Sequence, residues 1–174
     1  MVADPSRGAG AGFRAGRAGR TFCWSSVQAH LNPRPMAVAR SIPVLTLDSA
    51  KRLAEAAEAE ALRRGWTVAV AVVDPAGGLI LFHSLDGTQP ASQDIAVLKA
   101  RAAARLKRPT KALEDGVAGG RNALLTIPDV LALEGGVPVL VDGHVAGAIG
   151  VSGMTSAEDG IVAAAGVAAL AQAS

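Results

Sequence analysis

The 174-residue sequence has no tyrosine, five other aromatic residues and a single cysteine, Cys23. One cysteine excludes a disulfide within the chain and any zinc or iron–sulfur site built on several cysteines. No stretch reaches the roughly 18 uncharged apolar residues of a membrane-spanning helix, so we expect no membrane partner. Beyond residue 40 the aromatic residues are Trp66 and Phe82. The core must therefore be built from small side chains, which allow backbones to approach closely.

Positive charge is scarce beyond residue 40, although the net charge of the whole chain is +2. Residues 1–40 carry six arginines and one acidic residue, whereas residues 41–174 carry 11 basic and 14 acidic residues. Nucleic-acid binding requires a basic surface, often with stacking aromatic residues. The main part of the chain has neither feature, so we expect no nucleic-acid partner.

Residues 1–40 are rich in Gly, Ala and Arg and show no apolar periodicity, which is typical of a disordered leader. The leader is either a non-native start that precedes Met36 or an organellar transit peptide, and we favour Met36. We therefore expect one domain over residues 41–174. The near absence of cysteine favours a cytoplasmic location, with an exported or organellar location as the alternative if the leader is genuine.

The domain begins with an amphipathic helix that Thr46 or Asp48 can cap and Gly65 can end. Two apolar runs over residues 66–74 and 79–85 follow, joined by a Pro/Gly turn, and they predict a β-hairpin. Both faces of the first strand are apolar. We therefore expect helices or a partner subunit to cover this strand on both sides.

A second helix is predicted over residues 91–106, and a short strand over residues 130–134. The Asp142–Gly143 pair, between two further apolar runs, predicts a second hairpin with a type I′ turn. Thr155 and Glu158 have the spacing of a capping box for a last helix. The expected fold is α+β, with an antiparallel five-stranded sheet flanked by helices in the order helix–hairpin–helices–hairpin–helix. The predicted buried stripe of the second helix is Ile95, Leu98, Ala102 and Leu106.

Three segments carry a resemblance to a known family: VAVVDPAGGLILFHSLDG, DIAVLKARAAARLKRPT and GGVPVLVDGHVAGAIGVSGMTSAEDG. Over about residues 45–172 the chain resembles GlcG/HbpS-like proteins, which are similar to the C-terminal domain of PduO-type corrinoid adenosyltransferases. The resemblance implies a homo-oligomer, a dimer or larger, that binds a small ligand, with haem as the possible cofactor. Members of this family often have Arg where this chain has Ser84, so an identical ligand does not follow.

Three polar residues in the first half of the domain are candidate ligand-binding residues. His83 either ligates haem iron, as the only metal ligand we predict, or bonds to nearby backbone. Asp86 either faces the ligand with its carboxylate or belongs to an ordinary turn. Lys99 either grips a carboxylate in a pocket, as its match to a Lys-Ala pair of the family suggests, or lies solvated at the edge of the core.

The remaining candidates lie in the second half. The Gly135, Gly136 and Pro138 segment allows close approach of backbone to a ligand, or forms a tight entry turn. Ser152, Gly153 and Asp159 surround the start of the last helix, where free N–H groups favour an anion, although capping explains the same pattern. His144, directly after the Asp-Gly turn, is either an exposed residue at the hairpin tip or a ligand.

Two functions therefore remain open. The first is a protein that binds a small ligand, haem or a related tetrapyrrole. The second is a cofactor-independent enzyme, or an accessory protein, that acts on a small carboxylate in a catabolic pathway. In the second function Lys99 would be the base or carboxylate anchor, and Asp86 or Asp159 its acid–base partner. No nucleophile–base pair stands out by its spacing, so no catalytic residue is assigned.

Overall fold

The computed structural model describes residues 41–171, so the leader expected over residues 1–40 lies outside the described residues. The described chain folds as an α+β domain with one antiparallel sheet. No helix among the described residues is long and apolar enough to cross a membrane. The helices and strands are α1 (Leu47–Arg64), β1 (Ala69–Val73), β2 (Leu79–Ser84), α2 (Pro90–Leu106), α3 (Lys111–Ala118), a 3-10 helix (Asn122–Thr126), β3 (Gly136–Val141), β4 (His144–Ser152) and α4 (Ser156–Ala171).

The sheet consists of two hairpins that meet along their first and last strands, in the order β2-β1-β4-β3. Strands β1 and β4 pair antiparallel, with Ala69 opposite Ser152 and Val73 opposite Ala148. Both hairpin turns, residues 74–78 and 142–143, therefore lie at the same end of the sheet. We call this the hairpin end, and we call the other the opposite end, where β2 and β4 finish and β3 starts.

The sheet has four strands within residues 41–171, and the fifth strand expected over residues 130–134 does not form. Asp129 has a left-handed backbone conformation, with φ of 58°, which turns the chain just before this segment. The backbone N–H of Glu134 then donates to the side chain of Glu114 rather than to a neighbouring strand. The turn and this hydrogen bond to a side chain take the place of the backbone hydrogen bonds that a fifth strand would make with its neighbour.

Helices cover both faces of the sheet, as the apolar sequence of β1 predicts. All five residues of β1 are buried. Val70 and Val72 pack in a cluster with α1 and α4, whereas Ala69, Ala71 and Val73 pack against α2. The helix ends are also as predicted: Thr46 caps α1, Gly65 ends it in the left-handed conformation, and Thr155 and Glu158 bond each other's backbone N–H.

The face that α2 turns to the sheet differs from the predicted stripe. Of the predicted residues only Ala102 is buried, whereas Ile95, Leu98 and Leu106 are half-exposed. The reason is space: a Cβ at Gly150 would lie 2.9 Å from the Cβ of Ala100 and closer still to the Ala96 carbonyl. The gap between α2 and the sheet admits only small side chains, and the buried residues of α2 are Ser92, Ala96, Lys99, Ala100, Ala102, Ala103 and Ala104.

We expect Gly150→Ala to lower the free energy of unfolding by about 1–3 kcal/mol, because the added methyl group meets the backbone of α2. Urea denaturation measures this change. The matched control is Gly116→Ala in α3, where the added Cβ meets only the flexible end of the Leu124 side chain. Equal effects of the two substitutions would contradict the close approach of α2 to the sheet.

Candidate functional site

A buried ion pair lies at the opposite end of the sheet. The Lys99 ammonium donates to Asp159 Oδ2 at 2.7 Å, and each side chain is 2% exposed. Lys99 belongs to α2 on one face of the sheet, and Asp159 belongs to the first turn of α4, which packs with α1 on the other face. The pair therefore ties together helices from both faces, next to the start of β3.

Glycine at the start of β3 makes room for this pair. Gly135 has φ of 123°, and a Cβ there would lie 2.9 Å from Lys99 Nζ and 2.9 Å from Asp159 Cβ. A side chain at Gly136 would likewise meet the Lys99 backbone. Lys99, Gly135, Gly136 and Asp159, predicted from separate parts of the sequence, are thus brought into one packed cluster.

Thr110 is a member of this cluster that the sequence analysis did not assign. Its hydroxyl accepts a hydrogen bond from Gly136 N–H at 2.9 Å, and its own N–H donates to the Gly136 carbonyl at 2.9 Å. Thr110 stands just before α3 and is fully buried, yet its side chain does not cap that helix. In the sequence a Thr before a helix resembles an N-cap. The hydrogen bonds between Thr110 and Gly136 can be recognised only once the position of β3 is known.

Burial raises the pKa of Asp159 above its ordinary value of 3.8. The hydrogen bond and charge of Lys99 oppose this increase, as does the Met154 N–H, which donates to Asp159 Oδ1 at 3.0 Å. The carboxylate is thus held by donors on both of its oxygens. The start of α4 directs its amides at the chain's own acids, since Thr155 N–H also donates to Glu158.

The other predicted residues do not join this cluster through any contact that the structure records. His83 lies on β2, where its Nδ1 is paired with Glu58 of α1. Asp86 is exposed in the loop between β2 and α2, and Pro138 is half-buried on β3 opposite Ala148. Ser152 is buried at the end of β4, and a Cβ at Gly153 would lie 2.8 Å from Val68 Cα. The assignment of these residues to a ligand stays a prediction.

A separate cleft of about 550 Å³ opens at the hairpin end. It lies between the C-terminal end of α2, the β1–β2 turn and the β3–β4 turn, and its walls are mainly apolar. The polar groups that line it are Lys107, directly after α2, and His144, the first residue of β4. Its apolar lining includes Ile42, Pro75, Ala76, Ala104, Leu140 and Val145. The sequence analysis weighed His144 but could not place a cleft beside it.

The cleft has the size and the mainly apolar lining of a small-molecule site. Small-molecule sites usually have volumes of about 300–1,000 Å³, apolar walls and few polar groups. His144 supplies a nitrogen suited to haem iron and Lys107 supplies a cation suited to a carboxylate. Across residues 41–171 no three His, Cys, Asp or Glu side chains converge to hold a metal ion by themselves. An iron that binds here would therefore need a macrocycle to supply most of its ligands.

We expect Lys99→Met to destabilise the fold by about 3–5 kcal/mol, because it leaves the buried Asp159 carboxylate without its partner. Asp159→Asn should destabilise it by less, because the amide oxygen can still accept a hydrogen bond from Lys99. The double variant should lose clearly less than the sum of the two single variants. Urea denaturation of all four proteins gives the coupling energy. Additive losses would mean that the two side chains act independently, contrary to their direct hydrogen bond.

The pH dependence follows from the raised pKa of Asp159. The folded protein holds this proton more tightly than the unfolded chain does. This group's contribution to the free energy of unfolding is therefore complete below pH 3.8 and is lost as the pH rises through the pKa of the folded state. The difference in stability between wild type and Asp159→Asn, measured by urea denaturation from pH 3 to 7, should fall as the pH rises. An increase would show that Lys99 outweighs burial.

Comparison with known proteins gives the family. The model of the family described as "Haem degrading protein HbpS-like" matches residues 45–168. GlcG of Escherichia coli K12 is 43% identical over 109 residues, which span 63% of this chain and 81% of GlcG. A double mutant of HbpS from Streptomyces reticuli has a TM-score of 0.70 at 32% identity, over 92% of this chain and 97% of that one.

A third similar protein has been solved with a tetrapyrrole. The structure described as a PduOC–heme complex has a TM-score of 0.66 at 27% identity, and the match covers 72% of this chain and 94% of that one. The resemblance noted in the sequence is therefore confirmed by a family model, by a curated relative and by solved structures. The chain belongs to the HbpS-like family.

Proposed function

We propose that the protein binds a small ligand, and that this ligand is haem or a related tetrapyrrole. Membership of the HbpS-like family supports the proposal, as does the similarity to a structure solved as a heme complex. The observation in the chain itself that carries the proposal is the apolar cleft of about 550 Å³ with one histidine and one lysine at its walls.

The affinity would come mainly from apolar contact. Burying apolar surface is worth about 25 cal/mol per Å², and a flat macrocycle presents two large apolar faces. Ile42, Ala76 and Leu140 offer apolar surface from three different segments of the chain. When bound, haem would supply an iron that accepts an axial ligand. The chain's own role would be to hold the ring, neutralise its carboxylates and limit contact with water.

The packing at the opposite end of the sheet makes binding a better proposal than catalysis on a small carboxylate. The catalytic alternative requires Lys99 to meet a substrate, with Asp159 or Asp86 as its partner. The Lys99 ammonium is instead 2% exposed and bonded to Asp159, and Asp86 is exposed in a loop. A substrate carboxylate would have to replace Asp159 inside a cluster that has no space for a methyl group at Gly135.

Self-association is part of the same proposal. Large apolar side chains remain exposed on several elements, among them Leu62 at 65%, Leu125 at 59% and Ile161 at 42%. Such side chains are costly to leave in water if they form a continuous patch, and burial between subunits removes that cost. Size-exclusion chromatography with light scattering would give the mass, and a monomer at micromolar concentration would contradict this part of the proposal.

Titration of the purified chain with haemin, followed in the visible spectrum, tests the ligand. We expect a sharp, shifted Soret band that saturates at one haem per chain or per dimer. The control is the same titration after thermal unfolding, which keeps the composition and removes the cleft. A broad band that grows without saturation would show non-specific adsorption to apolar surface and would contradict the proposal.

A further inference from the structure

We propose that the cleft at the hairpin end is the tetrapyrrole site, with His144 as the axial ligand of the iron and Lys107 as the partner of a ring carboxylate. The inference rests on the proposed function and adds the site and two residue roles to it. The sequence alone predicted His83 as the metal ligand and Lys99 as a carboxylate anchor, and it left His144 open between an exposed residue and a ligand.

The hydrogen bond of His144 determines which of its nitrogens is available. Its Nδ1 lies 2.9 Å from the backbone carbonyl oxygen of Asp142. A carbonyl oxygen can only accept, so Nδ1 must carry the hydrogen and donate it. In the neutral ring Nε2 then holds the free lone pair. Metal-bound histidines commonly show this arrangement, because the bond at one nitrogen orients the ring and increases the basicity of the other.

The position of His144 is set by backbone on both sides. Gly143 supplies the positive φ of 74° that the tight turn requires, and Asp142 shares this conformation with φ of 49°. His144 then begins β4, paired with Val141 of β3. The ring is therefore attached to the ordered end of a hairpin, while it stays exposed enough to reach a ligand in the cleft.

Lys107 supplies the charge that a carboxylate-bearing ring needs. It follows the last residue of α2 in the left-handed conformation, with φ of 54°, and its side chain is exposed. Within residues 41–171 its ammonium takes part in no salt bridge, unlike the Lys99 ammonium. The walls of the cleft include no acidic side chain that would repel a carboxylate. Apolar walls with one free cation match a flat apolar ring with anionic groups.

His83 is the competing ligand, and its surroundings differ. Its Nδ1 pairs with the Glu58 carboxylate of α1, and its side chain is 39% exposed. His83 stands opposite Val70, near the opposite end of the sheet, and it does not line the cleft described above. A carboxylate can also orient a histidine, so the experiment must include both residues.

Two probes separate the roles of the residues: haemin, which needs an axial ligand, and metal-free protoporphyrin IX, which does not. We expect His144→Ala to weaken haemin binding about tenfold or more and to change the Soret position, since an axial bond worth about 1.4 kcal/mol or more is lost. The same variant should bind protoporphyrin IX nearly as well as wild type. His83→Ala is the matched control and should leave both probes unchanged.

Lys107→Glu should weaken the binding of both probes about fivefold. A partly exposed ion pair between a lysine and a carboxylate contributes up to about 1 kcal/mol. Lys51→Glu makes the same charge change on the exposed face of α1 and should have no effect. Ala76→Trp, which places a large side chain at the cleft, should prevent binding of both probes. Thermal unfolding of every variant checks that the fold is retained.

Nitrogen-15 NMR of the wild type with protoporphyrin IX locates the ligand without using iron. Amide shifts should concentrate at residues 76, 104–107 and 143–145. Shifts that concentrate at residues 83–87 and 134–136 would overturn the inference, as would His144→Ala with unchanged haemin affinity and spectrum. In both cases saturable haemin binding by the wild type would leave the proposed function intact. Failure of the wild type to bind haemin would overturn both.

Discussion

The close approach of α2 to the sheet is the constraint on which the rest of the structure depends. At Gly150 and Gly136 no side chain separates the strands from the backbone of α2, so the helix approaches β3 and β4 closely there. A helix at that distance can turn only small residues toward the sheet. The one long side chain on its buried face, Lys99, must extend along the interface until it meets Asp159. The ion pair is thus a consequence of the packing distance.

The same constraint fixes what lies at each end of the domain. At the opposite end the glycines, Thr110 and the ion pair pack closely together, and Lys99 and the Met154 N–H donate to the two oxygens of Asp159. At the hairpin end α2 finishes at Leu106 and leaves its last turn beside two turns. Tight packing along the helix therefore ends beside an open cleft, where Lys107 and the Nε2 atom of His144 keep unused bonding capacity.

Local signals in the sequence predicted much of the fold. Thr46, Gly65 and the Asp142–Gly143 turn each act through bonds or dihedral angles within a few residues, so a short pattern suffices to place them. The buried face of α2 could not be placed in this way. Hydropathy favours Ile95 and Leu98 over alanine, but the width of the gap is set by glycine in β4, which is distant along the chain. Pairing of Lys99 with Asp159 likewise depends on two helices from different faces.

The cleft, like the buried face of α2, could not be predicted from short sequence patterns. A histidine after a hairpin turn is usually exposed, and nothing within a few residues of His144 indicates a cleft. The walls come from the segment before α1, the β1–β2 turn, the end of α2 and the second hairpin. Only the fold brings these four together. A buried, mutually satisfied pair such as Lys99 and Asp159 attracts attention in sequence because its residue types suit catalysis, yet its bonds are already used. Binding requires polar groups with unused bonding capacity beside apolar surface, and in this fold His144 and Lys107 meet that condition.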